Sequence, residues 1–262
     1  MITQSKLVKM KQAKEKISCL SLYDASLAKL ADQAGVEAIL IGDSLSMVMQ
    51  GNPDTTAATL EQMCYHTKCV ARGADQALII ADMPFMSYST MDRACRSAEK
   101  LMRSGAHMVK MEGGEWLAPI VEQLANQGVP VCGHLGCQPQ SIHLYGGYKV
   151  AGKEADQAEA ITNAALQLQE AGMKLLVLEC IPNSLGKVIT DQLDIPTIGI
   201  GAGVQTDGQV LVAYDLLGIG TENKPRFVKN FMPGADSVLQ AFQAFVSEVR
   251  ELKFPALEHT YP

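Results

Sequence analysis

The chain is 262 residues long, with 47% hydrophobic residues, 19% charged residues and a net charge of −6. This hydrophobic content can offset the ordering entropy of a folded core and excludes disorder, while an acidic balance with no basic, aromatic-interleaved face argues against a nucleic-acid partner. No stretch reaches the roughly 18 apolar residues of a membrane span, and the basic start MITQSKLVKMKQAKEK lacks the apolar run of about 7 to 15 residues of a secretory signal, so the expected location is cytoplasmic.

One domain over residues 1–262 is expected. Residues 4–16 read as a short, exposed, Lys-rich helix and 17–23 as the first strand, with Asp24 following at once. Residues 25–34 have helical spacing and stop at Gly35, a normal helix-terminating glycine. The next strand, within 36–44, is an apolar run of β-forming residues that ends abruptly in Ile41-Gly42-Asp43-Ser44, so a carboxylate stands where a buried strand runs out. After a turn cluster at 50–53, residues 59–74 are helical, and 77–84 repeats the pattern of an apolar strand ending at an acid, here Asp82.

Ser89 is expected to cap a helix running through Ser104, and 107–114 forms the fourth strand, with Lys110 and Glu112 two apart and so on one face. A helix over 116–126 leads to a fifth strand, 128–134, ending in His134. Residues 135–153 form a long connection without clear periodicity, carrying Gly136, Gly146, Gly147 and Gly152, and loops of this length inside a compact domain usually serve function. A helix over 154–171 precedes a sixth strand, 174–180, whose Glu179 shares a face with Leu175 and Val177. Asn183 is expected to cap a helix to Leu193, 196–203 is the seventh strand and its loop, 209–215 the eighth, and 236–252 a helical tail. The seven cysteines include no CxxC pair and sit mostly in apolar patterns (Cys19, Cys69, Cys132, Cys180), so they read as reduced core thiols.

Strand and helix alternate eight times at spacings of roughly 20 to 40 residues, which predicts an α/β fold, a (β/α)8 TIM barrel with a short N-terminal helix and a helical C-terminal tail. A doubly wound open sheet is the alternative, but the G-x-G-x-x-G expected after its first strand is absent.

In a barrel every strand's carboxyl end opens on one face, so Asp43, Asp82, Lys110, Glu112, His134 and Glu179 converge there. Asp43 alone could be a helix cap, but four acids at four strand ends repel one another unless a cation neutralises them. Carboxylates without His or Cys partners at ligand spacing favour a hard cation such as Mg²⁺. Asp43 and Asp82 are the expected direct ligands, and Glu112 acts through a metal-bound water or as a partial ligand. Lys110 offers a fixed charge for a substrate carboxylate, or an ion pair for Glu112.

Glu179, flanked by Leu178, Cys180 and Ile181, is expected in surroundings apolar enough to suit a general base, with a fourth metal ligand as the alternative. A metal chelating a 2-keto acid acidifies the carbon beside the carbonyl and holds the enolate, which asks for a base opposite the metal. His134 either bonds substrate or satisfies a buried backbone group, and His66 and His259 read as structural or solvated. Gly199, Gly201 and Gly203 occupy the position of a barrel phosphate cradle, but with no basic residue following they equally admit the approach of an unphosphorylated ligand.

At these residues the chain resembles the 3-methyl-2-oxobutanoate hydroxymethyltransferase (ketopantoate hydroxymethyltransferase) family nearly end to end, in YDASLAKLADQAGVEAILIGDSLSMVMQG, YHTKCVARGA, VKMEGG, GHLGCQPQSIHLYGGYKVAGK, LLVLECIP and IPTIGIGAG followed by DGQVLVAYDLLG. The resemblance implies a (β/α)8 barrel that transfers a hydroxymethyl group from 5,10-methylenetetrahydrofolate to 3-methyl-2-oxobutanoate, giving 2-dehydropantoate on the way to pantothenate and coenzyme A. It implies Asp43, Asp82 and Glu112 as the Mg²⁺ site, Ser44 and Lys110 as contacts to the keto acid, Glu179 as proton acceptor, and a large homo-oligomer, often a decamer. The chain departs from the commonest pattern at Ser46, where Gly is expected, at Asn52, where His is usual, and at Cys137-Gln138. None of these is expected to touch a proposed ligand and the activity is expected to be retained, with the Ser46 change able to alter the loop holding the substrate carboxylate and the Cys137-Gln138 change able to alter folate affinity. A metal-dependent C–C lyase or mutase of the isocitrate-lyase type uses the same fold and enolate logic, but its Lys-Lys-Cys-Gly-His loop is replaced here by Glu112-Gly113-Gly114. A barrel kept only for assembly would have lost the site acids, and all are present.

Overall fold

A computed structural model describes residues 1–220 and 224–262. Eight parallel strands close into a barrel in sequence order. They are β1 Ile17–Ser21, β2 Ala38–Ile41, β3 Leu78–Asp82, β4 Met108–Glu112, β5 Val131–Gly136, β6 Leu175–Glu179, β7 Thr197–Ile200 and β8 Gly208–Val212. The helices are α1 Gln4–Ala13, α2 Ala25–Ala34, α3 Leu45–Val48, α4 Leu60–Gly73, α5 Met91–Arg103, α6 Ala118–Asn126, α7 Ile142–Tyr145, α8 Ala155–Glu170, α9 Asn183–Gln192, α10 Ala213–Leu216 and α11 Val238–Arg250. No helix among the described residues is long and apolar enough to cross a membrane.

Period-two alternation sorts each strand between two cores. Met108 of β4, Leu78 and Ile80 of β3, Cys132 of β5 and Leu175 and Val177 of β6 fill the barrel interior, and Leu7 and Met10 of α1 pack against this same cluster. Val109, Met111, Ile79, Leu176 and Leu178 face outward into the core shared with the helices. Carrying the inward series one step further along β3, β4 and β6 reaches Asp82, Lys110 with Glu112, and Glu179. Polar groups therefore replace the apolar filling only toward the carboxyl ends.

Several predicted boundaries move, each for a local reason. The first helix stops at Ala13 because Lys14 takes a left-handed φ of 57°. Thr90, not Ser89, caps α5 by accepting a hydrogen bond from Arg93 N–H. A 3-10 turn, Glu115–Leu117, precedes α6. Asn183 begins α9 without capping it, and its amide donates instead to Thr260 Oγ1 at 3.1 Å. The eighth strand ends at Val212, and Asp215 lies in the helical turn α10. The connection 135–153 is partly ordered, holding a 3-10 turn, Pro139–Ser141, and α7. All seven cysteines are free thiols, with Cys69 only half-buried.

Candidate active site at the carboxyl ends of the strands

Strand register places the charged groups side by side. Asp82 is the cross-strand partner of Lys110, and Glu112 that of His134. Lys110 Nζ lies 2.6 Å from Asp82 Oδ1 and 3.7 Å from Glu112 Oε1, and His134 Nδ1 lies 3.0 Å from Glu112 Oε1. All four side chains are buried. Asp43 stands just past β2 after Gly42, where a Cβ would come within 2.9 Å of Ser21 Oγ and 2.8 Å of Ser44 Oγ. Its backbone N–H donates to Asp82 Oδ2 at 3.0 Å, and its Oδ2 accepts from Gln140 Nε2 at 2.8 Å. The helix-cap reading fails, because the residue at the start of α3 is Ser44 and no side chain caps that turn.

The carboxylates differ because their cations are unevenly placed. Burial, then the charges of Asp82 and Glu112, push the Asp43 carboxyl well above its ordinary value, against Lys110 and the neutral amide of Gln140. Burial also raises Glu112, but the charge and hydrogen bond of His134, the Lys110 charge and the Gln140 N–H outweigh it and hold this carboxyl low. Burial works against the Lys110 ammonium too, yet Asp82, Glu112 and Asp43 together hold it above its usual range. For His134, burial and Lys110 lower the imidazole, and Glu112 with Glu179 overcomes them, pushing it up to about 9.

Glu179 sits differently from its expected apolar surroundings. Its Oε2 is 3.2 Å from Nε2 of His134, an ion-pair distance, but the ring N–H is not aimed along it and finds no hydrogen-bond partner among the described residues. The sequence neighbours Leu178 and Ile181 are buried in the outer core, while the facing group comes from the adjacent strand. His134 therefore does not serve a buried backbone group; it bridges Glu112 and Glu179. Ser44 Oγ is 2.7 Å from Tyr23 Oη.

Asp43, Ser44, Asp82, Lys110, Glu112, His134 and Glu179 all line one cavity of 1090 Å³. Among the described residues, no group of three or more His, Cys, Asp and Glu is arranged to hold a metal ion by itself. Both Glu112 oxygens are already engaged, Oε1 by His134 and Oε2 by Gln140 N–H at 3.0 Å. The donor set suits a hard cation that Asp43 and Asp82 share with a chelating ligand, since the raised Asp43 carboxyl is one that a divalent charge would relieve.

Three supporting residues escaped sequence reasoning. Gln140 ties Asp43 to Glu112, and Tyr88 Oη donates to Gln140 Oε1 at 2.5 Å and stands 3.1 Å from Glu112 O. Tyr23 supports Ser44. Tyr23 was findable as the last residue before Asp24 on a strand end; no periodicity marks Gln140 or Tyr88.

His66 is structural, its Nδ1 2.8 Å from Tyr23 O, and His259 is buried against Phe254. The glycines after β7 admit protein groups: a Cβ at Gly201 would lie 2.9 Å from the Tyr261 ring, and one at Gly203 would lie 2.8 Å from Asn183 Oδ1. Ser46 Oγ donates to Asp54 O at 2.9 Å and accepts from Asn52 Nδ2 at 3.1 Å, so these two departures from the usual pattern touch each other and brace the loop after α3. Cys137 N–H donates to Glu179 O at 2.8 Å, so that change does reach the backbone of a site residue.

The sequence model of the family described as ketopantoate hydroxymethyltransferase matches residues 1–257. A relative in Hahella chejuensis, named 3-methyl-2-oxobutanoate hydroxymethyltransferase 2, is 53% identical over 99% of this chain and 98% of its own. One in Marinomonas sp., named 3-methyl-2-oxobutanoate hydroxymethyltransferase, is 53% identical over 99% of this chain and 94% of its own. Among solved structures, 2,3-dimethylmalate lyase, a PEP mutase/isocitrate lyase superfamily member, matches with a TM-score of 0.61 at 17% identity over 83% of each chain. Phosphonopyruvate hydrolase matches with a TM-score of 0.62 at 13% identity over 96% of this chain and 85% of its own. At these identities the two structures share the fold alone.

Proposed function

The chain belongs to the ketopantoate hydroxymethyltransferase family, and from that premise we propose that it transfers a hydroxymethyl group from 5,10-methylenetetrahydrofolate to 3-methyl-2-oxobutanoate, giving 2-dehydropantoate. The observation that carries this reading is the meeting of Asp43, Asp82, Lys110, Glu112, His134 and Glu179 in one cavity. Two carboxylates able to share a cation, a buried ammonium and a carboxylate facing them are what proton removal beside a ketone requires.

Asp43 and Asp82 would hold Mg²⁺ directly, one ion per subunit, with Glu112 acting through water because its own oxygens are engaged. When bound, that ion would polarise the keto oxygen and take up the charge that grows there. Lys110 and Ser44 orient the substrate carboxylate, Ser44 fixed by Tyr23. Glu179 accepts the C3 proton, and His134 holds it in place against Glu112. Both C–N bonds that hold the methylene carbon to N5 and N10 of the folate break, and that carbon bonds instead to C3 of the enolate and to a water-derived oxygen. Water supplies the new hydroxyl, and the two protons that tetrahydrofolate takes up come from C3 and from that water. We expect a homo-oligomer, a decamer, working in the cytoplasm without nucleic-acid or membrane partners.

The test is incubation of the protein with 3-methyl-2-oxobutanoate, 5,10-methylenetetrahydrofolate and Mg²⁺, following 2-dehydropantoate with a chelator as control. Chelator-sensitive product is expected. Absence of product, with cleavage of a 2-hydroxy or 2-oxo dicarboxylate instead, would overturn the reading in favour of the lyase.

A further inference from the structure

The cavity is larger than a small keto acid needs: its 1090 Å³ lies just above the roughly 300–1,000 Å³ that holds a drug-sized ligand. The acid cluster occupies the wall made by β2 to β6. Val212, Tyr214, Asp215, Phe227 and Tyr261 line the wall beyond β7 and β8. This second wall is aromatic and carries one carboxylate, Asp215, and one ammonium, Lys224. Tyr261 is fixed there by the bridge Pro182 to Tyr261, by Asn183 N–H donating to Tyr261 O at 3.0 Å, and by the missing Cβ of Gly201, which leaves room for its ring.

Asp215 is unexplained by local structure. Asp24, its counterpart after β1, caps α2 by accepting from Ser26 and Leu27 N–H. Asp215 lies inside the short turn α10, whose cap position is Val212, and its half-buried carboxylate accepts no hydrogen bond among the described residues. The Lys224 charge offsets part of the cost of withdrawing this carboxylate from water but forms no ion pair with it among the described residues, so the missing donor is one that a ligand can supply.

We propose that Asp215 receives the 2-amino and N3–H edge of the pterin ring of the folate, with Tyr261 and Phe227 giving that flat ring its apolar contact. This rests on the folate reading of the site given above. The pterin edge presents two N–H donors side by side, matching the two oxygens of one carboxylate, and the ring has the planar face that aromatic side chains hold. The keto acid, whose polar groups are all acceptors and whose other end is an isopropyl group, has no donor for Asp215. The two walls thus divide the cavity between an anion that meets Lys110 and a donor-edged heterocycle that meets Asp215.

Calorimetric titration of the full chain with tetrahydrofolate, in the presence of 3-methyl-2-oxobutanoate and Mg²⁺, tests this. Asp215→Asn, which offers one acceptor and a mismatched donor, should raise Kd at least tenfold. A 2-desamino-2-methyl tetrahydrofolate should bind the wild-type chain with a similar loss and lose little more in Asp215→Asn. Exchange of the keto acid C3 hydrogen in deuterated water reports on the other wall and should stay within about twofold. An Asp215→Asn Kd within threefold of wild type overturns the inference, as does a parallel collapse of exchange, which marks a structural role. Failure of the wild-type chain to bind tetrahydrofolate at all overturns the folate reading itself.

Discussion

Lys110 Nζ and Asp82 Oδ1 lie 2.6 Å apart in the barrel interior, both side chains almost wholly removed from water. A buried pair of this kind stabilises little as a pair, yet removing one partner strands the other charge and costs about 3–5 kcal/mol. Lys110→Met should therefore lower the unfolding free energy of the metal-free protein, read from urea titration, by an amount of that order. Adding Asp82→Asn should restore part of the loss, and an additive double variant would contradict the coupling.

Asp43→Asn should separate stability from binding. Its folded carboxyl is raised, so the ionised form opposes folding at neutral pH and that penalty vanishes as pH falls through the raised value. The amide removes it, so the metal-free variant should unfold at a higher temperature than wild type. Mg²⁺ affinity should meanwhile fall tenfold or more by titration calorimetry. Lower stability with unchanged Mg²⁺ affinity would be the signature of a cap.

Glu179→Gln keeps the shape of the proton acceptor and removes its basicity. The variant should bind 3-methyl-2-oxobutanoate and Mg²⁺ within a few-fold of wild type. Exchange of the C3 hydrogen into deuterated water should drop by about 100-fold or more, the range of a general base. Normal exchange would sink the assignment.

His134 gives a pH dependence. An unfolded imidazole titrates near 6.5, and the folded one is pushed up to about 9. A raised base contributes stability that is full below about 6.5 and is lost as pH rises through about 9. Urea midpoints of the metal-free protein should decline across that window, and His134→Gln should flatten the decline. A slope unchanged in the variant would assign the titration elsewhere.

Gly186 tests packing against propensity. Within a helix, alanine is usually favoured over glycine by about 0.5–1 kcal/mol. In α9, however, a Cβ at this position would sit 2.2 Å from Ala202 O. Gly186→Ala should destabilise, because the backbone after β7 must shift to admit the methyl group; a raised melting temperature would show that it gives way freely.

The barrel was legible because buried parallel strands make unbroken apolar runs, and the inward acids were legible because they interrupt those runs at the same relative place. Lys110 and Glu112 needed only the two-residue period. What the chain order hides is contact across it. Gln140 reaches Asp43 from 97 residues away, out of a connection with no periodicity. The surroundings of Glu179 were misjudged for a related reason: residues adjacent in a strand point to opposite faces, so its flanking apolar residues say nothing about the His134 it meets. Ser89 and Thr90 have equal capping chemistry, and only the path of the chain selects the second.

Leu7 and Met10 of α1 close the interior cluster at the end opposite the cavity. The effect resembles a cork in a tube open at one mouth. Charges at the mouth interact strongly only while the column beneath them stays dry, since the same pair at 4 Å weakens several-fold as the surroundings become more water-like. A helix that touches no substrate thus sets the dielectric in which the acids at the far end work.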